Sequence, residues 1–159
     1  MQSESRHETT DLVDAILTAS RAFVGMAARS LAQVDDTISL AQYRVLVVVA
    51  SRGPQRLGDL AEHLGISAPS ATRLCDRLVT SQLMTRRHSP TDRREVRLSL
   101  TPKGRELVDH VTSARLNEIE RLVDTIRPEL RADMIDALRV FAHAAGEPSD
   151  ASWNERWNQ

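Results

Sequence analysis

The sequence predicts a mainly α-helical chain with one small β-hairpin, and three observations carry the prediction. Apolar residues recur at three-and-four spacing over most of the chain, the period of a helix with one buried stripe. The period shortens to two at Val96-Arg97-Leu98-Ser99-Leu100, as in a half-buried strand. Ser39, Ser67 and Thr101 stand where helix N-caps are needed. The last two are followed by Pro69 and Pro102 in the first turn, where a missing amide hydrogen costs little.

Asp11 to Val34 places Leu12, Ala15, Ile16, Ala19, Phe23, Met26, Ala27 and Leu31 on one stripe of a long amphipathic helix. Ser39 caps a second helix, in which Tyr43 to Ala50 is so apolar that it must be buried on most sides, and Gly53-Pro54 ends it. Leu57 to His63 forms a short helix with Leu60, Ala61 and Leu64 inward, and Gly65 follows where a tight turn needs a residue tolerant of positive φ. Ser67 opens the next helix, which runs to about Ser81. Leu83 to Leu100 is the hairpin, turning through Ser89-Pro90-Thr91-Asp92. Thr101-Pro102 starts a long helix through Leu107, Val111, Ala114, Leu116, Ile119, Leu122, Val123 and Ile126, which Pro128 breaks. A last helix turns Leu130, Met134, Ala137, Leu138 and Phe141 inward and ends near Gly146. The chain thus divides into an N-terminal helix (1–38), a central module (39–101), C-terminal helices (102–146) and a polar tail (147–159) carrying Trp153 and Trp157.

At 159 residues the chain suffices for one compact domain with helical extensions. No apolar run approaches the roughly 18 residues of a membrane span, and Met1 to Thr10 lacks the apolar core of a secretory signal, so a soluble cytoplasmic protein is expected. Cys75 stands alone, which excludes an intramolecular disulfide and a thiolate metal cluster within one chain. The net charge of -1 conceals an uneven distribution. Arg52 to Lys103 holds ten basic and five acidic residues, a net of +5, while the rest holds eleven and seventeen, a net of -6. A basic middle between acidic ends suits a DNA-facing module carried on a separate oligomerisation scaffold.

Helix, turn, helix and hairpin, in that order, make a winged helix-turn-helix. On its second short helix Ala71, Leu74, Cys75 and Leu78 share the inward stripe, leaving Ser67, Ser70, Thr72, Arg73, Asp76 and Arg77 outward. Short hydroxyls and guanidiniums are the groups that bond base edges and phosphates in a major groove. The hairpin concentrates Arg86, Arg87, Arg93, Arg94 and Arg97 in one small element, a repulsion that a polyanion would relieve. Arg93 and Arg94 lie beside the expected tip, where a guanidinium could enter a narrow minor groove.

The stretch Leu40 to Gly104 resembles the MarR family. The matching pieces are Gln42-Tyr43-Arg44-Val45-Leu46, Leu60-Ala61-Glu62-His63-Leu64-Gly65, Ala71-Thr72-Arg73-Leu74-Cys75-Asp76-Arg77-Leu78, Asp92-Arg93-Arg94, and Leu98-Ser99-Leu100-Thr101-Pro102-Lys103-Gly104. The wing motif followed by the Leu-Thr-x-x-Gly start of the next helix is the most specific of these. The resemblance implies a homodimer whose terminal helices interlock, and double-stranded DNA as partner. Two recognition helices would enter successive major grooves of a roughly palindromic operator, with half-sites roughly 10 base pairs apart. Ser67, Pro69, Ser70, Thr72, Arg73, Arg77, Arg86, Arg93 and Arg94 are the DNA-binding candidates, and Asp76 with Arg94 the link between recognition helix and wing. It also implies a repressor released by a small aromatic or lipophilic effector, for which Phe23, Met26 and Tyr43 are candidate lining residues.

Redox sensing through Cys75 is not expected, because the residue falls on the inward stripe. The histidines at 7, 63, 88, 110 and 143 form no i, i+4 pair, so no metal and no cofactor are expected. No glycine-rich phosphate loop, nucleophile elbow or acid-base cluster is present, which argues against an enzyme. The alternatives are an oxidant- or metal-responsive regulator of the same fold, and a winged-helix protein-interaction module without a DNA target.

Overall fold

A computed structural model describes residues 2–88 and 95–147. Among these described residues six helices and two paired strands follow in the order α1 (Gln2–Val34), α2 (Leu40–Arg52), α3 (Leu57–Leu64), α4 (Ala68–Thr80), β1 (Met84–His88), β2 (Val96–Leu100), α5 (Pro102–Val123) and α6 (Pro128–Ala144). The caps explain where the helices start. Ser39 and Gln42 form a reciprocal capping box on α2, Ser67 accepts from the Ser70 amide, and Thr101 accepts from the Gly104 amide at 3.0 Å. Gly65 closes α3 in the left-handed conformation, at φ 62 and ψ 33, that its lack of a Cβ makes free of strain.

The core lies in the central module and on the inner face of α5. Val45, Leu46, Leu60, Cys75, Leu78, Val108 and Val111 are fully excluded from solvent, each large apolar side chain contributing about 1.5–3 kcal/mol. The helix α2 forms the hub, touching α3, α4, β2 and α5, while α1 lies along α5. The strands pair antiparallel with Met84 opposite Leu100, Arg86 opposite Leu98 and Arg87 opposite Arg97. Gln55, between α2 and α3, adds a one-residue third strand through mutual backbone bonds with Leu98 at 3.0 and 2.8 Å.

Two expectations are corrected. The first helix begins at Gln2, well before Asp11, because a polar segment without periodicity can still continue a helix. The face of α6 expected to turn inward is exposed in the single chain. Leu130, Met134, Leu138 and Phe141 are 41–51 % accessible, and the helix has no buried residue, because nothing among the described residues covers it. The wing residues Arg93 and Arg94, and Trp153 and Trp157 of the tail, lie outside the described residues. No helix among the described residues is long and apolar enough to cross a membrane.

Candidate nucleic-acid interface

The two faces of α4 are chemically distinct. Ala71, Cys75 and Leu78 anchor it in the core at 0 % exposure, which fixes the direction of everything on the opposite side. There Ser67, Pro69, Arg73, Asp76 and Arg77 are exposed, and Ser70 and Thr72 are half-buried at its margin. Ser67, Ser70 and Arg73 follow at three-residue intervals and are bonded together. The Ser70 hydroxyl accepts from the Ser67 hydroxyl at 3.0 Å and from Arg73 Nη2 at 3.2 Å. The Thr72 hydroxyl donates to the Ala68 carbonyl at 2.9 Å, a bond that leaves its oxygen able to accept. Arg73 is therefore held along its own helix.

Asp76, one turn further on, accepts from Arg86 of β1. This ion pair joins α4 to the hairpin, and Arg94, matched to Asp76 by the family resemblance, lies outside the described residues. On the outer face of the hairpin Arg97 stands opposite Arg87, a like-charge pair that destabilises a ladder. Glu95 answers it, bonding both Arg97 and Arg56, the N-cap residue of α3. Arg56 and then Arg97 hold the Glu95 carboxyl down to about 2 from its ordinary 4.5. Sequence reasoning singled out neither Glu95 nor Arg56, because only the register of the Gln55 bridge brings them together.

The effector candidates are not gathered in one place. Met26 lines an open cleft of about 490 Å³ between α1 and α5, with Arg21, Arg121 and Leu122 among its walls. Tyr43 is buried beside Thr112 with the Arg115 guanidinium 5.8 Å from its ring centre, and Phe23 is 46 % exposed on α1. Burial raises the Tyr43 hydroxyl above its usual pKa, a rise that the hydrogen bond with Thr112 and the Arg115 charge oppose. Cys75 is buried, and desolvation raises its thiol above the ordinary value, with Arg86 pulling the other way. Among the described residues no group of three His, Cys, Asp or Glu is placed to hold a metal ion.

A model of the MarR family matches residues 38–96, from the end of the α1–α2 connection to the start of β2. The HTH-type transcriptional regulator YhbI of Bacillus subtilis is 39 % identical over 115 residues, 70 % of this chain and 75 % of that one. The crystal structure of RV1404 from Mycobacterium tuberculosis superposes with a TM-score of 0.82 at 42 % identity, covering 89 % of this chain and 96 % of that one. A MepR mutant from Staphylococcus aureus bound to an oligodeoxyribonucleotide shares the fold, with a TM-score of 0.61 at 21 % identity over 84 % of this chain and 96 % of that one. With the outward chemistry of α4, the hairpin beside it and relatives of this extent, the chain belongs to the MarR family of transcriptional regulators.

Proposed function

We propose that the protein is a homodimeric, sequence-specific DNA-binding repressor. Each protomer lays α4 in a major groove of a roughly palindromic operator and sets its hairpin along the neighbouring minor groove. The observation that carries this reading is the outward face of α4. Ser67, Ser70, Thr72, Arg73 and Arg77 form a strip of hydroxyls and guanidiniums, with Arg86 beside it and Pro69 in the first turn. That is the donor and acceptor set for phosphates and base edges, whereas a protein-docking face would expose apolar anchors. Arg93 and Arg94 join the set as minor-groove residues, and a MepR mutant of the same fold bound to an oligodeoxyribonucleotide supports DNA as the partner.

The uncovered apolar faces support the dimer. Leu12 and Leu17 on α1, Leu116 and Leu122 on α5, and the α6 residues named above are all at least 41 % exposed in one chain. Isolated soluble proteins rarely leave so much apolar surface on three helices, and a second copy with the same faces would cover it. A small aromatic or lipophilic effector would release DNA by favouring a dimer geometry in which the two α4 helices are wrongly spaced. Repression by occupying the operator is the simplest output. The buried, desolvated Cys75 thiol is the opposite of what an oxidant-sensing thiolate requires.

Salt titration of binding to a duplex selected from a random-sequence pool tests the proposal. Affinity should fall steeply with salt, as counterions released by phosphate contacts require. Arg73→Ala and Arg94→Ala should each weaken binding roughly tenfold or more and leave the dimer intact. A wild-type protein that prefers no duplex at low ionic strength refutes the reading.

A further inference from the structure

The hairpin arginines are arranged in a row that the antiparallel strands dictate. Arg87 faces Arg97 directly. On the other side of β2 the antiparallel bridge between Gln55 and Leu98 sets the next residue, Arg56, beside Arg97. Three guanidiniums thus cross three strands of backbone in the order Arg87, Arg97, Arg56. Like charges in adjacent strands repel, and long arginine side chains relieve repulsion by splaying into solvent, where each keeps its rotamer entropy. In this structure Arg97 and Arg56 do not splay, because both bond the Glu95 carboxylate, one through each oxygen. Glu95 itself is only 13 % exposed, while Arg56 and Arg97 are 57 % and 41 % exposed. The acid is thus covered by two bases that still face solvent.

We infer that Glu95 is a positioning residue of the DNA interface, bracketing Arg56 and Arg97 so that the wing base and the start of α3 present one fixed, phosphate-facing row. The two arginines come from elements with different tasks. Arg56 begins the first helix of the helix-turn-helix and Arg97 belongs to the wing, so a shared carboxylate fixes the angle between them. Asp76 and Arg86 do the same between α4 and β1. The wing is then tied to both helices of the helix-turn-helix by carboxylates that touch no DNA in this role. Preorganised guanidiniums give up less freedom on meeting a phosphate, and a hairpin held at a fixed angle carries its tip to one position over the duplex.

This inference rests on the DNA-binding reading above, and one set of measurements separates the two. The probes are the duplex that the wild-type protein selects from a random pool and an unselected duplex of equal length. Glu95→Gln keeps the side-chain shape and removes one negative charge, which raises the protein's net charge by one. Were Glu95 only an offset for charge, the variant would bind both duplexes more tightly with their ratio unchanged, and that result overturns the inference. As a positioning residue, its loss lowers affinity for the selected duplex about tenfold, the size of one charge-assisted contact, while the unselected duplex is held at least as tightly. Arg56→Gln removes one of the two bonds that Glu95→Gln removes, so it lowers the ratio by no more than Glu95→Gln does, and the double variant adds little to Glu95→Gln. Additive losses overturn the inference. So does a parallel fall in both affinities with a lowered Tm, since destabilisation reduces the active fraction and leaves the ratio untouched. A wild-type protein that selects no duplex refutes the DNA-binding reading itself, before any variant is made.

Discussion

Replacing Gly104 by alanine tests how the hairpin is fixed to α5. Gly104 is the third residue of α5, and the first turn of that helix sits on the backbone leading into β1. The Thr101 amide donates to the Leu83 carbonyl at 3.1 Å, and the Thr101 hydroxyl donates to the Gln82 carbonyl at 2.7 Å. A Cβ on Gly104 would overlap the Leu83 carbonyl oxygen and stand 2.9 Å from its carbon and 3.3 Å from its Cα. These are backbone atoms and cannot rotate aside, so the two segments must separate by on the order of 1 Å. Overpacking of this kind costs about 1–3 kcal/mol, and stretching the two Thr101 bonds costs about 1 kcal/mol each. Alanine returns about 1 kcal/mol through helix propensity, which leaves a net loss of about 2–4 kcal/mol. For a chain of this size that lowers Tm by roughly 5–15 °C in a circular dichroism melt. A variant melting within about 2 °C of wild type would show that α5 does not rest on Leu83, and the reasoning would fail.

Four further outcomes follow from the same geometry. Asp76→Asn should cost no more than about 1 kcal/mol in a urea titration, because both partners of the Arg86 pair are about half exposed; a larger loss would contradict that exposure. Leu138→Arg should shift the protein from dimer to monomer in sedimentation at micromolar concentration, and an intact dimer would show that this face of α6 is not the contact. The buried Cys75 thiol should react with a disulfide reagent on the order of a hundredfold more slowly in buffer than in urea, and equal rates would refute its burial. The Glu95 carboxyl should titrate near 2 by NMR. Because its folded pKa lies below the ordinary 4.5, its stabilisation is present above that value and lost as pH falls toward 2, and a midpoint at 4.5 would exclude the double arginine bracket.

Much of the fold was readable in local chemistry. Ser39, Ser67 and Thr101 are each helix caps, and Gly65 adopts the positive φ that its turn requires, because caps and turns depend on a few neighbouring residues. The inward stripe of α4 was equally plain, since Ala71, Cys75 and Leu78 repeat with the helix period. The ion pairs that shape the site were not. Asp76 and Arg86 are ten residues apart and Arg56 and Glu95 thirty-nine, and their meeting depends on strand register and on the Gln55 bridge. A single bridging residue carries no alternation, so no pattern announces it.

Where periodicity and burial disagree, the disagreement is confined to particular helices. Among the described residues, every exposed large hydrophobic except Leu40 and Val96 lies on α1, α5 or α6. Those helices show the same three-and-four spacing as α4, whose stripe is buried. Periodicity reports that a face is apolar; it carries no information about which chain covers it. In the central module the covering surfaces belong to the same chain: α2 supplies Leu46, α3 Leu60, α4 Leu78 and α5 Val108, so pattern and burial coincide. Along α6 no such surface exists among the described residues, and five turns of helix would expose their apolar side to water at about 25 cal/mol for each square ångström left uncovered. The point at which the pattern stops matching the burial therefore marks where the protomer's own core ends. Every residue of α4 proposed to contact DNA lies inside that limit, so the shape of that face is set within one chain, and in the proposed dimer its spacing from a second copy would fall to α1, α5 and α6.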